Sequence, residues 1–152
     1  MTDPDPEVSA ASLDPEERRR QAVARVMDDY ADEAVVNDPL FAKPLVGKPA
    51  IGTHKLAEMI AISDIEFDVG ERWEDGNKVF ANWKVTGVHS GPFYDLPATD
   101  REIFLEGSTV VTRNDEGKIV EETLFYDADD MRRQLEGVGD PDKSQEKESK
   151  GE

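Results

Sequence analysis

Six side chains that could carry acid–base or ion-pair chemistry lie in one stretch of the sequence, between Trp83 and Asp127. They are His89, Arg101, Glu102, Glu106, Glu121 and Asp127. A histidine titrates near neutral pH, and a carboxylate in an apolar pocket has a raised pKa. A pair of this kind can take a proton from a carbon next to a carbonyl and return it elsewhere. The stretch could therefore hold a general base and a general acid.

Each of these residues also has a structural explanation. His89 lies on an apolar strand face, where a hydrogen-bonded structural role fits as well as a role in a pocket. Arg101 can tie a turn to a nearby carboxylate, and Asp127 can cap the helix that follows it. The three glutamates belong to a chain rich in acids, in which a surface position is the ordinary one.

Three predicted strands carry these residues, over positions 78–90, 101–113 and 118–127. Alternating apolar and polar residues indicate each strand, and turn-forming residues separate them. Gly107 in the middle of the second strand predicts a bulge or a sharp bend. The stretch is therefore expected to form most of a curved antiparallel sheet.

Side-chain alternation decides which residues can meet. Along the strand 78–90, His89 shares a face with Trp83. On the next strand, Glu102 and Glu106 lie on one face and Arg101 on the other. Glu102 and Arg101 therefore cannot both point into one cavity unless a bulge intervenes.

The first helix is predicted to begin after Asp14, which can act as its N-cap, with Pro15 in the first turn and Glu17 three residues after the cap. Apolar residues then recur at helical spacing as far as Ala34. A short strand over 34–36 follows and ends before a proline, which stops strand pairing.

A loop with large apolar residues leads to a second predicted helix, over 49–62. His54 lies in its first turns, and we expect it to be a surface or partly packed histidine. Positions 65–74 alternate and predict a half-buried strand, and positions 128–137 predict a short closing helix.

This order of elements predicts the α+β class. We expect a curved antiparallel or mixed sheet, shaped like a cone and wrapped around the N-terminal helices, as in a cystatin-like roll. The single domain is predicted to span residues 14–137, which is long enough to bury a core. Residues 1–13 are predicted to be a disordered leader and residues 138–152 a disordered charged tail.

Composition narrows the classes of partner. The formal net charge is −17, from 35 acidic and 18 basic residues, so the surface should repel nucleic acid and anionic lipid. Such a charge favours a protein from an extreme halophile, because high salt screens self-repulsion. Without cysteine there is no disulfide, thiolate metal site or cysteine nucleophile. The sequence has no signal-like or membrane-spanning apolar run, which predicts a cytoplasmic location.

Four pieces of the sequence resemble the SnoaL-like polyketide cyclases, a family in the superfamily named for nuclear transport factor 2. They are GVHSGPFYDLPATDR, DEGKIVEETLFYD, ADEAVVNDP and VGKPAIGTH, and the likeness spans about residues 22–137. Two departures stand out. The turn that usually reads Thr-Gly-Arg is Thr99-Asp100-Arg101 here, and the long first helix of the superfamily is merged with the second or missing.

The resemblance implies a site without metal or cofactor. The family's known cyclases close a ring by an aldol-type step, with a histidine and a carboxylate near the cavity. By this likeness His89, Glu102 and Asp127 are the expected catalytic residues. The expected ligand-binding residues are Tyr30, Trp83, Phe93, Arg101, Glu106 and Phe125.

Two hypotheses about function follow. The first is a cofactor-independent cyclase, isomerase or related enzyme that acts on a small, apolar carbonyl compound by histidine and carboxylate chemistry. The second is a non-catalytic module of the same fold that binds a ligand or forms a dimer, since fold alone does not decide function. The apolar residues Phe80, Val88 and Val110 on the outer sheet face predict a homodimer through that face.

Overall fold

The structure, a computed structural model, describes residues 14–137; the predicted leader 1–13 and tail 138–152 lie outside the described residues. The helices are α1 (Pro15–Met27), α2 (Lys48–Ala61) and α3 (Ala128–Glu136). The strands are β1 (Tyr30–Asn37), β2 (Leu45–Val46), β3 (Ile62–Asp75), β4 (Lys78–His89), β5 (Glu102–Arg113) and β6 (Ile119–Phe125).

The six strands form one sheet, in the order β2-β1-β6-β5-β4-β3. All neighbours are antiparallel except β1 and β6, which are parallel. The sheet is mixed, curved and open, and the helices lie on it as an α+β cone. The predicted fold class is confirmed. None of the described helices has the length and apolar character needed to cross a bilayer.

Helix α1 begins as the sequence predicts. The Asp14 carboxylate accepts a hydrogen bond from the Glu17 backbone N–H at 2.8 Å, and a proline occupies the first turn. The helix ends at Met27, however, and Tyr30 already belongs to β1. The expectation of a helical face as far as Ala34 and a strand of only 34–36 was wrong. The chain from Tyr30 onward forms β1 instead, because this segment pairs with β6.

Two apolar clusters hold the helices on the sheet. The larger one joins α1 and α2 to β1 and β6 through residues such as Val23, Ile51 and Ile119. The smaller one joins the end of α2, the β4–β5 connection and α3 through Ala61, Phe93 and Leu135. Both clusters exclude apolar surface from water, which is the main stabilising term for a fold of this size.

Helix α3 is fixed at three points. Asp127 caps it by accepting from the Asp130 backbone N–H at 3.0 Å, and Gly137 ends it in a left-handed conformation. In between, the Gln134 side-chain amide donates to the Phe104 carbonyl and accepts from the Phe104 N–H. Pairing between β6 and β5 begins only at Ser108. Gln134 therefore supplies hydrogen-bond partners for the Phe104 N–H and carbonyl groups, which β6 does not pair.

Of the bulge or sharp bend predicted at Gly107, the structure has no bulge between β4 and β5. The β4–β5 register runs without a shift through the pair Trp83–Gly107. The glycine instead allows a close approach, because a Cβ atom there would lie 2.3 Å from the Phe125 carbonyl oxygen and 2.9 Å from the Trp83 ring. Gly107 is thus where the main chain leaving β6 crosses β5.

Strand β3 also differs from its prediction. Instead of being half-buried it is exposed along almost all of its length, with register shifts after Ser63 and after Val69. Helices α1 and α2 pack mainly against β1 and β6, and α3 lies beside β5 and the β4–β5 connection, which leaves most of β3 uncovered. Apolar side chains on that face therefore meet solvent.

Replacing Gly107 by alanine should lower the free energy of unfolding by about 2 kcal/mol, the usual cost of forcing a methyl group into an occupied space. The matched control is Gly70→Ala on β3, where the new Cβ would meet nothing closer than 3.6 Å. Urea unfolding followed by circular dichroism measures both variants. Equal stabilities would show that the crossing of β5 and the segment after β6 is not tightly packed.

Candidate functional site

Five polar side chains from distant parts of the chain meet between α2 and the sheet. They are Asp38, His54, Glu58, Tyr94 and Tyr126, which we call the His54 cluster. Asp38 and His54 are buried, although both are ionisable. Burying such groups is costly unless they are paired, so their pairing determines what the cluster can do.

Asp38 reaches the cluster because β1 ends just before it, and Tyr126 because β6 ends just before it. Since β1 and β6 are parallel neighbours, both residues emerge at the same end of the sheet. The Tyr126 hydroxyl donates a short hydrogen bond to Asp38 Oδ1. The Leu40 backbone N–H donates to the same oxygen at 2.9 Å, within a turn that begins at Asp38.

The His54 imidazole touches a polar group at each nitrogen. Its Nε2 atom lies 3.5 Å from Asp38 Oδ2 and 3.5 Å from Glu58 Oε2, one helical turn further along α2. These are ion-pair distances, and Nε2 has no hydrogen-bond partner among the described residues. Its Nδ1 atom lies 2.9 Å from the Tyr94 hydroxyl oxygen. Only about 5% of His54 is exposed, whereas half of the Glu58 side chain is exposed.

Two carboxylates beside one imidazole favour its charged form. Burial alone would lower the pKa of His54, but the contacts with Asp38, then Glu58, and with Tyr94 outweigh it and raise the pKa to about 10. Burial would likewise raise the pKa of Asp38, yet its bonds to His54, Tyr126 and the Leu40 N–H hold it below its usual value. Burial and the bond to Asp38 raise the pKa of Tyr126. At neutral pH the cluster therefore holds an imidazolium and a carboxylate.

Tyr94 is held in an unusual backbone conformation. Its φ angle is 54°, in the left-handed region that bulky residues rarely adopt. The ring lies parallel to the His54 ring at 6.2 Å, and the rings of Phe41 and Phe93 meet it edge to face. Such strain costs about 1–3 kcal/mol and is found mainly at functional sites.

An apolar surface adjoins the cluster. The Tyr126 ring lies 6.3 Å from the Trp83 ring, and the Phe67 ring stacks on Trp83 at 6.0 Å. Trp83 satisfies its own N–H with the Thr109 hydroxyl at 2.8 Å. Phe67 is 60% exposed, and Val69 beside it on the same face is also exposed. We call Phe67 and Trp83 the aromatic wall, and the His54 cluster lies at the end of this wall where Tyr126 meets Trp83.

His89, the predicted catalytic histidine, is completely buried. Its Nδ1 atom lies 3.1 Å from the Thr99 hydroxyl, and its Nε2 atom has no hydrogen-bond partner among the described residues. Burial lowers its pKa, against a smaller opposing effect of Asp100. His89 is therefore neutral at physiological pH, unlike His54.

The predicted catalytic carboxylates lie apart from His89. Glu102 is exposed and lies on the face of β5 opposite the buried Ile103. Asp127 is exposed and caps α3. Within residues 14–137, neither carboxylate forms a hydrogen bond or ion pair with His89. The structure does not bring these three residues together.

The predicted ligand-binding residues are divided between several places. Trp83 and Phe93 lie beside the His54 cluster. Tyr30 is buried under α2, where its hydroxyl donates to Glu122 at 2.5 Å. Glu106 and Phe125 are exposed on the outer sheet face.

Two further residues of the predicted set lie at the edges of the fold. Arg101 is half-buried, and its guanidinium lies close to Gly137 at the end of α3. Glu121 is exposed near the Asn37 side-chain amide, at 3.3 Å. Neither belongs to the His54 cluster.

Sequence reasoning missed the cluster itself. The expectation that His54 is a surface or partly packed histidine was wrong, since it is buried against Asp38. One signal was present: the chain has only two histidines, and His54 lies three positions after Ile51, which places both on the inward face of α2. Asp38, Tyr94 and Tyr126 gave no signal that linked them. Among the described residues, no group of histidine, aspartate and glutamate side chains is arranged to hold a metal ion.

A family model for the SnoaL-like polyketide cyclases matches residues 16–135. No curated protein matches the chain. A solved structure of a candidate SnoaL-like polyketide cyclase from Jannaschia sp. CCS1 has a TM-score of 0.64 at 14% identity, covering 84% of this chain and 99% of that one. AclR, a candidate hydroxylase from Streptomyces galilaeus, has a TM-score of 0.63 at 16% identity, covering 88% and 91%.

A third solved structure was determined with a bound small molecule. It is a protein with a ketosteroid isomerase-like fold from Catenulispora acidiphila DSM 44928, in complex with trimethylamine. It has a TM-score of 0.62 at 13% identity, covering 77% of this chain and 83% of that chain. At these identities the three structures show a shared fold.

Replacing His54 by glutamine should destabilise the protein at about pH 6 by about 3 kcal/mol, as when one partner of a buried ion pair is removed. Because the folded-state pKa is raised, the stabilisation by His54 is complete below its unfolded pKa and is lost as pH rises through about 10. The difference between wild type and H54Q should therefore shrink at alkaline pH. Urea unfolding at several pH values measures it, and a difference that does not vary with pH would contradict a charged His54.

Proposed function

The chain belongs to the SnoaL-like polyketide cyclase family, and we propose that it is a cofactor-independent enzyme that moves protons on a small, apolar carbonyl compound. The reaction class is that of a cyclase or isomerase. The observation that carries the proposal is the buried, doubly paired His54 at the end of the aromatic wall. Ionisable groups with perturbed pKa values next to an open apolar surface are typical of active sites.

The contacts support different roles for the two carboxylates. Asp38 is buried and engaged at both oxygens, so it keeps His54 charged and oriented. The Glu58 side chain is half exposed and contacts only one edge of the imidazole. In the proposed reaction, Glu58 removes a proton from the carbon next to the carbonyl, and His54 stabilises the negative charge that develops on the substrate.

The aromatic wall would hold the rest of the substrate. Phe67 and Trp83 present a stacked pair on the concave face, next to Tyr126 in the cluster. An apolar molecule lying there would remove their exposed area from water and bring its carbonyl to the polar end. The candidate cyclase activity of the Jannaschia relative is consistent with such a substrate.

The earlier assignment of catalysis to His89 stays a prediction. Its unpartnered, buried Nε2 atom could accept a hydrogen bond from a ligand that enters the cone. The proposal therefore distinguishes the two histidines, and separate variants of each will show which one the reaction needs.

The alternative is a non-catalytic module that binds a ligand or forms a dimer. A specific observation favours the dimer: Trp73, Phe80, Phe104 and Phe125 are exposed on the outer part of the sheet. A group of exposed aromatic side chains on one face often marks an interface between subunits. We propose a homodimer through this face, which is compatible with catalysis inside the cone.

The enzyme proposal is tested by proton exchange in deuterated buffer. Wild-type protein should speed deuterium incorporation next to the carbonyls of benzoylacetone, an apolar dicarbonyl compound, as followed by proton NMR. The variants His54→Gln and Glu58→Gln should slow this exchange by about a hundredfold, the usual share of general acid–base catalysis. Glu66→Gln, an exposed carboxylate on β3, is the matched control and should leave the exchange unchanged.

Two outcomes would contradict this assignment. If exchange persists in His54→Gln but disappears in His89→Gln, His89 and not His54 is the histidine that the reaction needs. Exchange no faster than in buffer, across a panel of apolar ketones, would favour the non-catalytic module.

The dimer proposal is tested by light scattering in high salt. The mass should be about twice 16.9 kDa, and Phe80→Lys together with Phe104→Lys on the outer face should reduce it to that of a monomer because buried charge opposes association. Phe67→Ser on the concave face is the control and should leave the mass unchanged. A monomeric wild type would contradict a dimer through this face.

A further inference from the structure

The hydrogen bond between His54 and Tyr94 has two possible directions, and the charge on His54 decides between them. If the imidazole is neutral with its proton on Nε2, Nδ1 accepts the hydroxyl proton of Tyr94. If the imidazole is charged, Nδ1 carries a proton and donates it to the Tyr94 oxygen. In the second case the hydroxyl proton of Tyr94 is free to bond elsewhere.

The surroundings of His54 select the charged state. Nε2 faces two carboxylates, Asp38 and Glu58, each 3.5 Å away. Asp38 is buried, and no other cationic side chain forms an ion pair with it in the described part of the chain. A neutral imidazole would leave that buried charge uncompensated, which is expensive in a protein interior. Nδ1 is therefore a donor, and Tyr94 is its acceptor.

Among the described residues, the Tyr94 hydroxyl then has no acceptor for its own proton. Within residues 14–137, the hydroxyl makes one hydrogen bond, the one with His54 at 2.9 Å. Tyr94 is 51% exposed, in contrast to the buried imidazole behind it. A hydroxyl that accepts from a cation becomes a stronger donor, because the two hydrogen bonds polarise each other.

We propose that Tyr94 is the residue that contacts the ligand's oxygen, and that the site takes ligands presenting an anionic oxygen, such as an enolate or phenolate. Tyr94 donates its hydroxyl proton to that oxygen while it accepts from the His54 imidazolium. The inference rests on the proposed function, since an enolate is what proton removal next to a carbonyl produces. It adds that Tyr94 is the hydrogen-bond donor to the ligand and that the site prefers an anionic ligand.

The backbone around Tyr94 supports this role. The residue has a φ angle of 54°, and edge-to-face contacts with Phe41 and Phe93 hold its ring. A side chain fixed in this way loses little further freedom when a ligand binds, which is the condition for effective charge stabilisation.

The test uses two probes that differ by one hydroxyl group. 4-Nitrophenol has different visible spectra as phenol and phenolate, and nitrobenzene is the same ring without the ionisable oxygen. Wild-type protein should bind 4-nitrophenol as the phenolate and lower its apparent pKa. Tyr94→Phe should weaken phenolate binding by about tenfold or more, as for loss of a charge-assisted hydrogen bond, and leave nitrobenzene binding unchanged.

Ser90→Ala is the matched control, because it removes one exposed hydroxyl from the same β4–β5 connection. It should bind both probes as wild type does. Wild-type protein that binds the neutral phenol, or that binds only nitrobenzene, would overturn the proposal without any variant. Equal phenolate affinity in wild type and Tyr94→Phe would also overturn it.

The results also separate this inference from the proposed function. If Tyr94→Phe binds phenolate normally while proton exchange still requires His54, the Tyr94 assignment fails and the enzyme proposal stands. If phenolate binding depends on Tyr94 but no carbonyl compound exchanges faster than in buffer, the donor is correct and the enzyme proposal fails.

Discussion

One buried carboxylate, Asp38, constrains the polar interior of this cone. A negative charge away from water must be hydrogen-bonded or paired. The Tyr126 hydroxyl and the Leu40 N–H donate to it, and the His54 imidazole lies at an ion-pair distance of 3.5 Å. These groups come from the turn after β1, the segment after β6 and α2. The parallel pairing of β1 with β6 and the packing of α2 on the sheet are therefore tied to the charge state of the site.

The concave face combines this charged cluster with an uncovered apolar surface. Helices α1 and α2 cover the β1–β6 end of the cone, where Ile51 and Val23 are buried, and most of β3 is left uncovered. Phe67 is exposed there, although it stacks on the buried Trp83. A molecule that is apolar over most of its length and carries oxygen at one end matches this division.

Local rules were enough to predict most of the fold. Alternation gave the β4 and β5 strands, and the Asp14 and Asp127 caps follow from residues three positions apart or fewer. Local rules do not predict the parallel pairing of β1 with β6, because paired residues such as Tyr30 and Ile119 are distant in sequence. The same holds for the site. His54 and Tyr94 are 40 positions apart, and Asp38 and Tyr126 are 88 apart, so no spacing within one element could link them. Strand alternation alone predicts which face His89 occupies, whereas the burial of His54 depends on contacts across the fold.

The charge on His54 is the central claim, and an NMR titration of its imidazole nitrogens tests it most directly. With the histidines labelled with nitrogen-15, the account predicts that both nitrogens of His54 carry protons at neutral pH and that the ring titrates with a pKa of about 10. The neutral, buried His89 serves as an internal comparison, since burial lowers its pKa. A His54 that loses its proton near the ordinary histidine value of about 6.5 would contradict the account.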